Sequence, residues 1–308
     1  MRHDLISLKL FVAVAECGNL TRAAEREHLA VSAVSKRIAE LEDLVRTPLL
    51  QRYPRGVGLT PAGQAMLHHA RLVLQGVDHL ESELAGFADG VRGHVRLHAV
   101  ASALYLSLPE EIDSFLTTYP GVRVSLEEHT GKAVVLAVAA GAADLGVIAA
   151  QTPSPGLVNL PYRSDRLAIG VPLNHPLARR ESARFAEALD YAFVGPHAES
   201  SIAQLMIEGA RACGKTLEQR VQASSFDAMC RLVQTRLGIT VLPQSVLVPH
   251  AQAGRIRMLH LDEDWAARRM VIVVRDPHAV GHIAQSLIEH MQRMAVDSGG
   301  AGNDDLRS

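Results

Sequence analysis

Met66, Ala70, Val73, Val77, Leu80, Leu84 and Phe87 stand at alternating intervals of four and three. A period of 3.5 held for three repeats describes a helix whose apolar seam winds left-handed and seeks a second helix beside it. Pro61 is suited to a first helical position, and a helix over 61–87 spans about 40 Å. A long core helix is the other structure that fits this spacing. Gly76 lowers helix propensity without breaking the seam. His68, His69 and His79 share no face at metal-ligand spacing and read as surface.

The sixty residues ahead of this helix hold three shorter patterns. Asp4 stands as an N-cap before Leu5, Ile6, Leu8, Phe11, Val12, Val14 and Ala15, and Gly18-Asn19 ends that run. Thr21 is placed to cap a short helix over 22–27, whose Ala23-Ala24 pair lets the next helix cross closely. Over 32–45, Val34, Ile38, Leu41 and Val45 form one stripe, opposite Ser32, Ser35, Lys36, Ala39 and Asp43. The first turns of that outer face carry two hydroxyls and a lysine, which suits a phosphate backbone. Most charged outer faces are merely solvated, so the context matters. Three short helices with a tight turn, then Arg52, Arg55, Gly56 and Gly58 as a basic wing, make a helix-turn-helix arrangement for double-stranded DNA.

At 308 residues the chain exceeds what one core usually serves, and 48% apolar residues suffice for more than one. The net charge of −2 excludes an indiscriminate nucleic-acid coat. Residues 1–60 nevertheless carry 9 Lys and Arg against 7 acids, leaving 22 against 26 for the remainder. Cys17, Cys213 and Cys230 are too scattered for a disulfide framework or a zinc site. Lys9 and Glu16 interrupt the first apolar run, and no apolar stretch approaches a membrane span. A soluble, cytoplasmic protein is the expectation.

Phe11, Val14-Ala15-Glu16, Gly18, Thr21, Ala23-Ala24, Ser32-Ala33-Val34-Ser35, Ile38, Leu41-Glu42, Leu49, Arg52, Leu59-Thr60 and Ala62-Gly63 together resemble the N-terminal signature of LysR-type transcriptional regulators. Further along, Tyr119-Pro120-Gly121-Val122, Gly141 with Asp144-Leu145, His175-Pro176-Leu177 and Gly238-Ile239 with Leu242-Pro243 fit the same family. The resemblance implies an α+β multidomain protein. It has a winged helix-turn-helix over 1–60, a dimerising linker helix over 61–90, and a two-lobed α/β effector domain over 91–296 similar to type 2 periplasmic binding proteins. Lobe I is expected near 91–162 and 268–296, lobe II near 163–267, and residues 297–308, rich in Gly, Asp and Ser, read as a disordered tail. Homodimers or homotetramers are also implied, and DNA binding modulated by a small-molecule effector.

On the matching positions, Val31, Ser32, Ser35 and Lys36 are the candidates for the groove, with Arg22, Arg52 and Arg55 on phosphate; each arginine is as well explained as solvated surface. The chain departs from the family at four places. Ala30-Val31 stands for a usual Ser/Thr-Gln, which leaves Val31 to meet a thymine methyl. Glu27 replaces a leucine, Arg46 a helix-ending glycine, and Leu50 a phenylalanine.

In the body, strand and helix patterns alternate from Val95 to Ala150 and again from Leu167, which predicts a mostly parallel sheet. Ligands in such folds sit at the carboxyl ends of strands, against helix N-termini. Ser102, Thr130, Ser200 and Ser201 occupy those places and are the candidate effector contacts; a helix cap is the other role open to each. If they converge, they suit a carboxylate or another small anion.

No catalytic residues, metal site or cofactor are expected. His278 and His282 lack the glutamate of a zinc protease motif, and no nucleophile elbow or phosphate-cradling glycine loop is present. A thiol redox-sensing regulator on the same scaffold is the alternative, with Cys213 and Cys230 in separate predicted helices.

Overall fold

The computed structural model describes residues 4–53, 56–88, 92–277 and 280–301, with the side chains of 75, 78, 79, 81–92 and 297–301 outside that description. Two compact units divide in sequence between Gly93 and His94. No helix among the described residues is long and apolar enough to cross a membrane.

The first unit contains α1 (Leu5–Cys17), α2 (Leu20–Arg26), α3 (Val31–Val45), β1 (Leu50–Tyr53), β2 (Gly56–Leu59) and α4 (Pro61–Ala88). Helix α1 is its axle: Leu10, Phe11 and Val14 are buried, and α2, α3 and α4 all pack on it. Asp4 Oδ1 accepts from Ile6 N–H at 2.8 Å at one end of α1. Left-handed Gly18 closes the other end, its N–H reaching Val14 O. Asn19, not Thr21, caps α2. Its backbone is extended and its side chain accepts from Thr21 and Arg22 N–H, so Thr21 already lies inside the helix.

Strands β1 and β2 pair antiparallel from Leu50↔Leu59 to Tyr53↔Gly56. This hairpin is fastened to α1 by Val57 N–H on Gly18 O at 2.9 Å. At the start of α4, a Cβ on Gly63 would lie 2.0 Å from Leu49 O, so the position admits only glycine without displacement.

Helix α4 divides the apolar seam between two environments. Ala70 is buried in the head's own core and Met66 packs against it, because this part of α4 crosses α1. Beyond that contact Val73 and Leu80 are 47% and 54% exposed, and Val77 is half-buried. The side chains of Leu84 and Phe87 lie outside the described set. Ala70 thus packs in its own head's core and also lines the apolar groove beside it.

The remaining elements are β3 (Arg92–Ala99), α5 (Ala101–Leu104), α6 (Leu108–Thr118), β4 (Gly121–Glu128), α7 (Gly131–Ala139), β5 (Leu145–Ala149), β6 (Val158–Val171), β7 (Ser182–Ala183) and α8 (Phe185–Ala188). There follow β8 (Phe193–Gly195), α9 (Ser201–Ala212), β9 (Gln219–Gln222), α10 (Phe226–Gln234), β10 (Thr240–Pro243), α11 (Gln244–Gln252), β11 (Arg257–Leu261), β12 (Ala267–Val274) and α12 (His282–Ala301). Helix continues to Ala301 in the segment read as a tail, and 302–308 lie outside the described residues.

One sheet runs β4-β3-β5-β12-β6-β11-β7, with β10 also on β6, and β8 pairs with β9 in a separate ribbon. Every residue of β5 and β10 is buried, as in strands covered on both faces. The expectation of a mostly parallel sheet is corrected. Strands β3/β5, β7/β11 and β8/β9 are parallel, but β12 runs antiparallel to β5 and β6, and β6 antiparallel to β10 and β11. The reason is that β6 and β12 carry the chain between the lobes in opposite directions. Residues 158–166 of β6 pair with β12, and residues 167–171 pair with β10 and β11.

At this crossing Asp165 and Arg268 are cross-strand partners and form a buried ion pair. Nearby, Glu111 of α6 is fully buried and accepts from Tyr162 Oη at 2.6 Å and from Arg163 Nε at 2.7 Å. Burial pushes its carboxyl upward despite both donors. Replacing one member of the Asp165–Arg268 pair strands the other charge in the interior. Arg268→Met is expected to lower stability by about 3–5 kcal/mol in urea melts, and Asp165→Leu combined with Arg268→Met to recover most of that loss.

Candidate functional site

The outer face of α3 begins at its first residue. Val31 is 42% exposed, Ser32 is exposed and Ser35 half-buried. Lys36 extends into solvent, with Glu40 at 3.8 Å one turn on. Other cations of the head are committed to neighbouring acids: Arg37 to Asp4, Arg26 and Arg71 to Glu16, and Lys9 to Glu27. Arg22 Nη2 donates to Cys17 O at 2.8 Å, so this side chain closes the end of α1. Arg52 is exposed on β1, and Arg55 lies outside the described residues.

Glu42 was part of the sequence signature, and the structure supplies its role. Its Oε1 accepts from Leu49 N–H at 2.7 Å and Leu50 N–H at 3.0 Å, pinning the start of β1 beneath α3. Helix α3 and the β1-β2 hairpin are thereby tied to one another.

In the second unit Ser102, Thr130, Ser200 and Ser201 all line one cavity of about 140 Å³. They come from the starts of α5, α7 and α9, and Ser224 and Phe226 bring the start of α10 to the same wall. Ser102 is buried. Thr130 and Ser200 also cap their helices, with Oγ1 3.4 Å from Ala133 N and Oγ 3.3 Å from Ile202 N. These bonds are long, which leaves the hydroxyls capacity for a second partner. Glu128, His129 and His197 complete the polar lining, and none of the lining residues is arginine or lysine.

The histidines, Ser224 and Phe226 were not singled out from sequence, because nothing in linear spacing brings α10 to the other three helix starts. Across the cavity region Tyr105 Oη donates to Asp227 Oδ2 at 3.3 Å, and its ring lies 5.4 Å from that of Phe226.

Cys230 lacks the surroundings of a reactive thiol. Cys230 is buried, and burial pushes its thiol up to about 12, far from the thiolate range. Cys17 is half-buried and Cys213 exposed.

Comparison with known proteins matches the two units in turn. The model described as bacterial regulatory helix-turn-helix protein, lysR family, covers residues 5–64, and the LysR substrate binding domain covers residues 88–295. The chain belongs to the LysR family of transcriptional regulators.

The SDS degradation transcriptional activation protein of a Pseudomonas species is 31% identical over 271 residues, which are 87% of this chain and 88% of that protein. The HTH-type regulator YbhD of Escherichia coli is 26% identical over 275 residues, 89% and 86% of the two chains. Among solved structures, a cysteine-to-aspartate variant of full-length OxyR from Pseudomonas aeruginosa aligns with a TM-score of 0.75 at 21% identity. The alignment covers 96% of this chain and 95% of that one.

The four departures of this LysR regulator have distinct physical outcomes. Ala30 sits at the N-cap of α3 and makes no side-chain cap bond. Glu27 keeps a charge at a largely covered site by pairing with Lys9 at 3.1 Å. Leu50 packs at the edge of the head's core.

Arg46 takes the left-handed conformation at the end of α3, φ 52° and ψ 33°. Its N–H reaches Asp43 O and Thr47 N–H reaches Glu42 O, a Schellman closure built without glycine. A side chain in that conformation costs about 1–2 kcal/mol, part of which glycine would forfeit through its freer unfolded state. Arg46→Gly is therefore expected to stabilise the head by about 0.5–1 kcal/mol, read as a rise in its melting temperature.

Proposed function

We propose that this regulator reads DNA through Val31, Ser32, Ser35 and Lys36 of α3 in the major groove, with Arg52 and Arg55 of the wing on phosphate. Arg22 contributes through its position at the start of α2, although its guanidinium already serves Cys17 O. Two copies associate along α4 beyond Ala70, where Val73, Val77 and Leu80 continue toward Leu84 and Phe87. Val73 also borders an apolar groove of about 410 Å³ formed with Leu8, Val45 and Leu49, which a second helix would cover. A homodimer meets a two-fold pair of half-sites, and a homotetramer repeats that arrangement. The protein acts in the cytoplasm and catalyses nothing.

The effector is a small carboxylate or related anion, held by Ser102, Thr130, Ser200 and Ser201. The observation that carries this reading is the convergence of these four hydroxyls, with the starts of α7, α9 and α10, on a single cavity. Unpaired N–H groups at helix starts favour negative charge, and serine and threonine hydroxyls donate to it without adding a fixed cation. Glu128 on the same wall confines the anion to the hydroxyl side.

Two measurements test the reading. Lys36→Ala is expected to weaken operator binding and to reduce the slope of log affinity against log salt by about one unit, because Lys36 at the edge of the groove also neutralises one phosphate. An unchanged slope would remove Lys36 from the interface. In thermal-shift screening a panel of small carboxylates should raise the melting temperature of the native protein. Thr130→Val should abolish that shift while leaving operator binding in the absence of effector intact; a panel without effect on the native protein refutes the anionic effector.

A further inference from the structure

Strands β3 and β4 are neighbours in the sheet, and His129 N–H bonds Ala99 O at 2.9 Å just past their ends. Alternation along each strand gathers His98 with Glu127 and His129. His129 Nε2 lies 2.9 Å from Glu127 Oε2, and His98 Nε2 lies 3.7 Å from the same oxygen. One ligand atom from each of the three lies within 4.8 Å of the others. The two rings stand 4.8 Å apart.

His98 is an uneconomical residue for a plain strand. It is 7% exposed, its Nδ1 is buried without a hydrogen-bond partner, and its Nε2 is too far from Glu127 for a good hydrogen bond. An ion between Nε2 and Glu127 would give Nε2 the partner that the carboxylate alone does not, while Nδ1 faces the interior on the other side of the ring. The nearby Arg96 does not repel a cation strongly, since its guanidinium is paired with Asp144 at 2.8 Å.

We propose that His98, Glu127 and His129 form a binding site for a divalent transition-metal ion of the zinc class. Ligands about 2.0–2.1 Å from a tetrahedral ion stand roughly 3.3 Å from one another, and the two nitrogen-to-carboxylate distances here straddle that value. Two imidazoles and one carboxylate select zinc, nickel, cobalt or copper over magnesium or calcium, which take oxygen donors. Three protein ligands leave a coordination position open, and the exposed carboxylate of Glu127 gives the ion a route from solvent.

His129 also lines the cavity described above, so the ion would sit at its margin. The metal site rests on the three side chains alone and stands whether or not an anion binds there.

The test uses the full-length protein stripped with a chelator and titrated with Zn²⁺ by calorimetry, with Co²⁺ as a spectroscopic substitute. A single equivalent per chain is expected, with the visible bands of tetrahedral Co²⁺. Glu127→Ala and His129→Gln should each weaken Zn²⁺ binding at least about a hundredfold, whereas His68→Gln should not change it. The Glu127 side chain is 59% exposed, so that variant is expected to melt like the native protein without metal, separating lost ligation from lost folding. Failure of the native protein to bind Zn²⁺, or undiminished binding by Glu127→Ala and His129→Gln, overturns the proposal. Neither result bears on the anion screen with Thr130→Val.

Discussion

The antiparallel pairing of β6 with β12 is the constraint on which the effector unit depends. These strands carry the chain between lobes, and they remain hydrogen-bonded to one another up to the point where β6 joins β10 and β11. Asp165 and Arg268 occupy the last rung but one of that ladder with a buried charge pair. Buried pairs of this kind contribute little net stability over apolar substitutes, but they penalise any register that separates them. The pair therefore favours the register in which Asp165 faces Arg268 where the chain passes between the lobes.

The DNA-reading head solves a different problem, that of holding a short helix firmly with few residues. Helix α1 supplies the buried surface, Glu42 grips the wing with one carboxylate oxygen, and the Schellman closure at Arg46 ends α3. What the head lacks is a polar cap at Ala30. Side-chain caps satisfy free N–H groups at a helix start; without one, the N–H groups at the start of α3 remain for phosphate or water.

Local chemistry was the legible part of the sequence. Asp4 and Gly18 bound α1 as their residue types demand, and the family signature located the winged head and the two-lobed effector unit. The four hydroxyls proposed for the cavity stood beside predicted strand ends, where a doubly wound pattern directs ligands. Asn19 was mistaken for a helix stop because its capping role depends on an extended backbone that composition does not reveal. The antiparallel course of β6 and β12 escaped notice because crossover direction is a tertiary property. His98, Glu127 and His129 were invisible for a related reason: ligand motifs read along one helix or loop have fixed spacing, whereas these residues meet across two strands separated by α5 and α6. A 3.5-residue repeat does not reveal whose core it enters, and Ala70 packs in its own head while also bordering an open apolar groove.

Gly63 joins the head to its linker with no clearance. A Cβ there would run into the carbonyl of Leu49, Thr60 Oγ1 accepts from Gly63 N–H at 2.9 Å and donates to Pro48 O at 2.7 Å, and Thr60 N–H reaches Leu49 O at 3.0 Å. A crankshaft soldered to its flywheel behaves similarly. A roll of α4 about its long axis therefore works first against the carbonyls of Pro48 and Leu49, at the entrance to the hairpin.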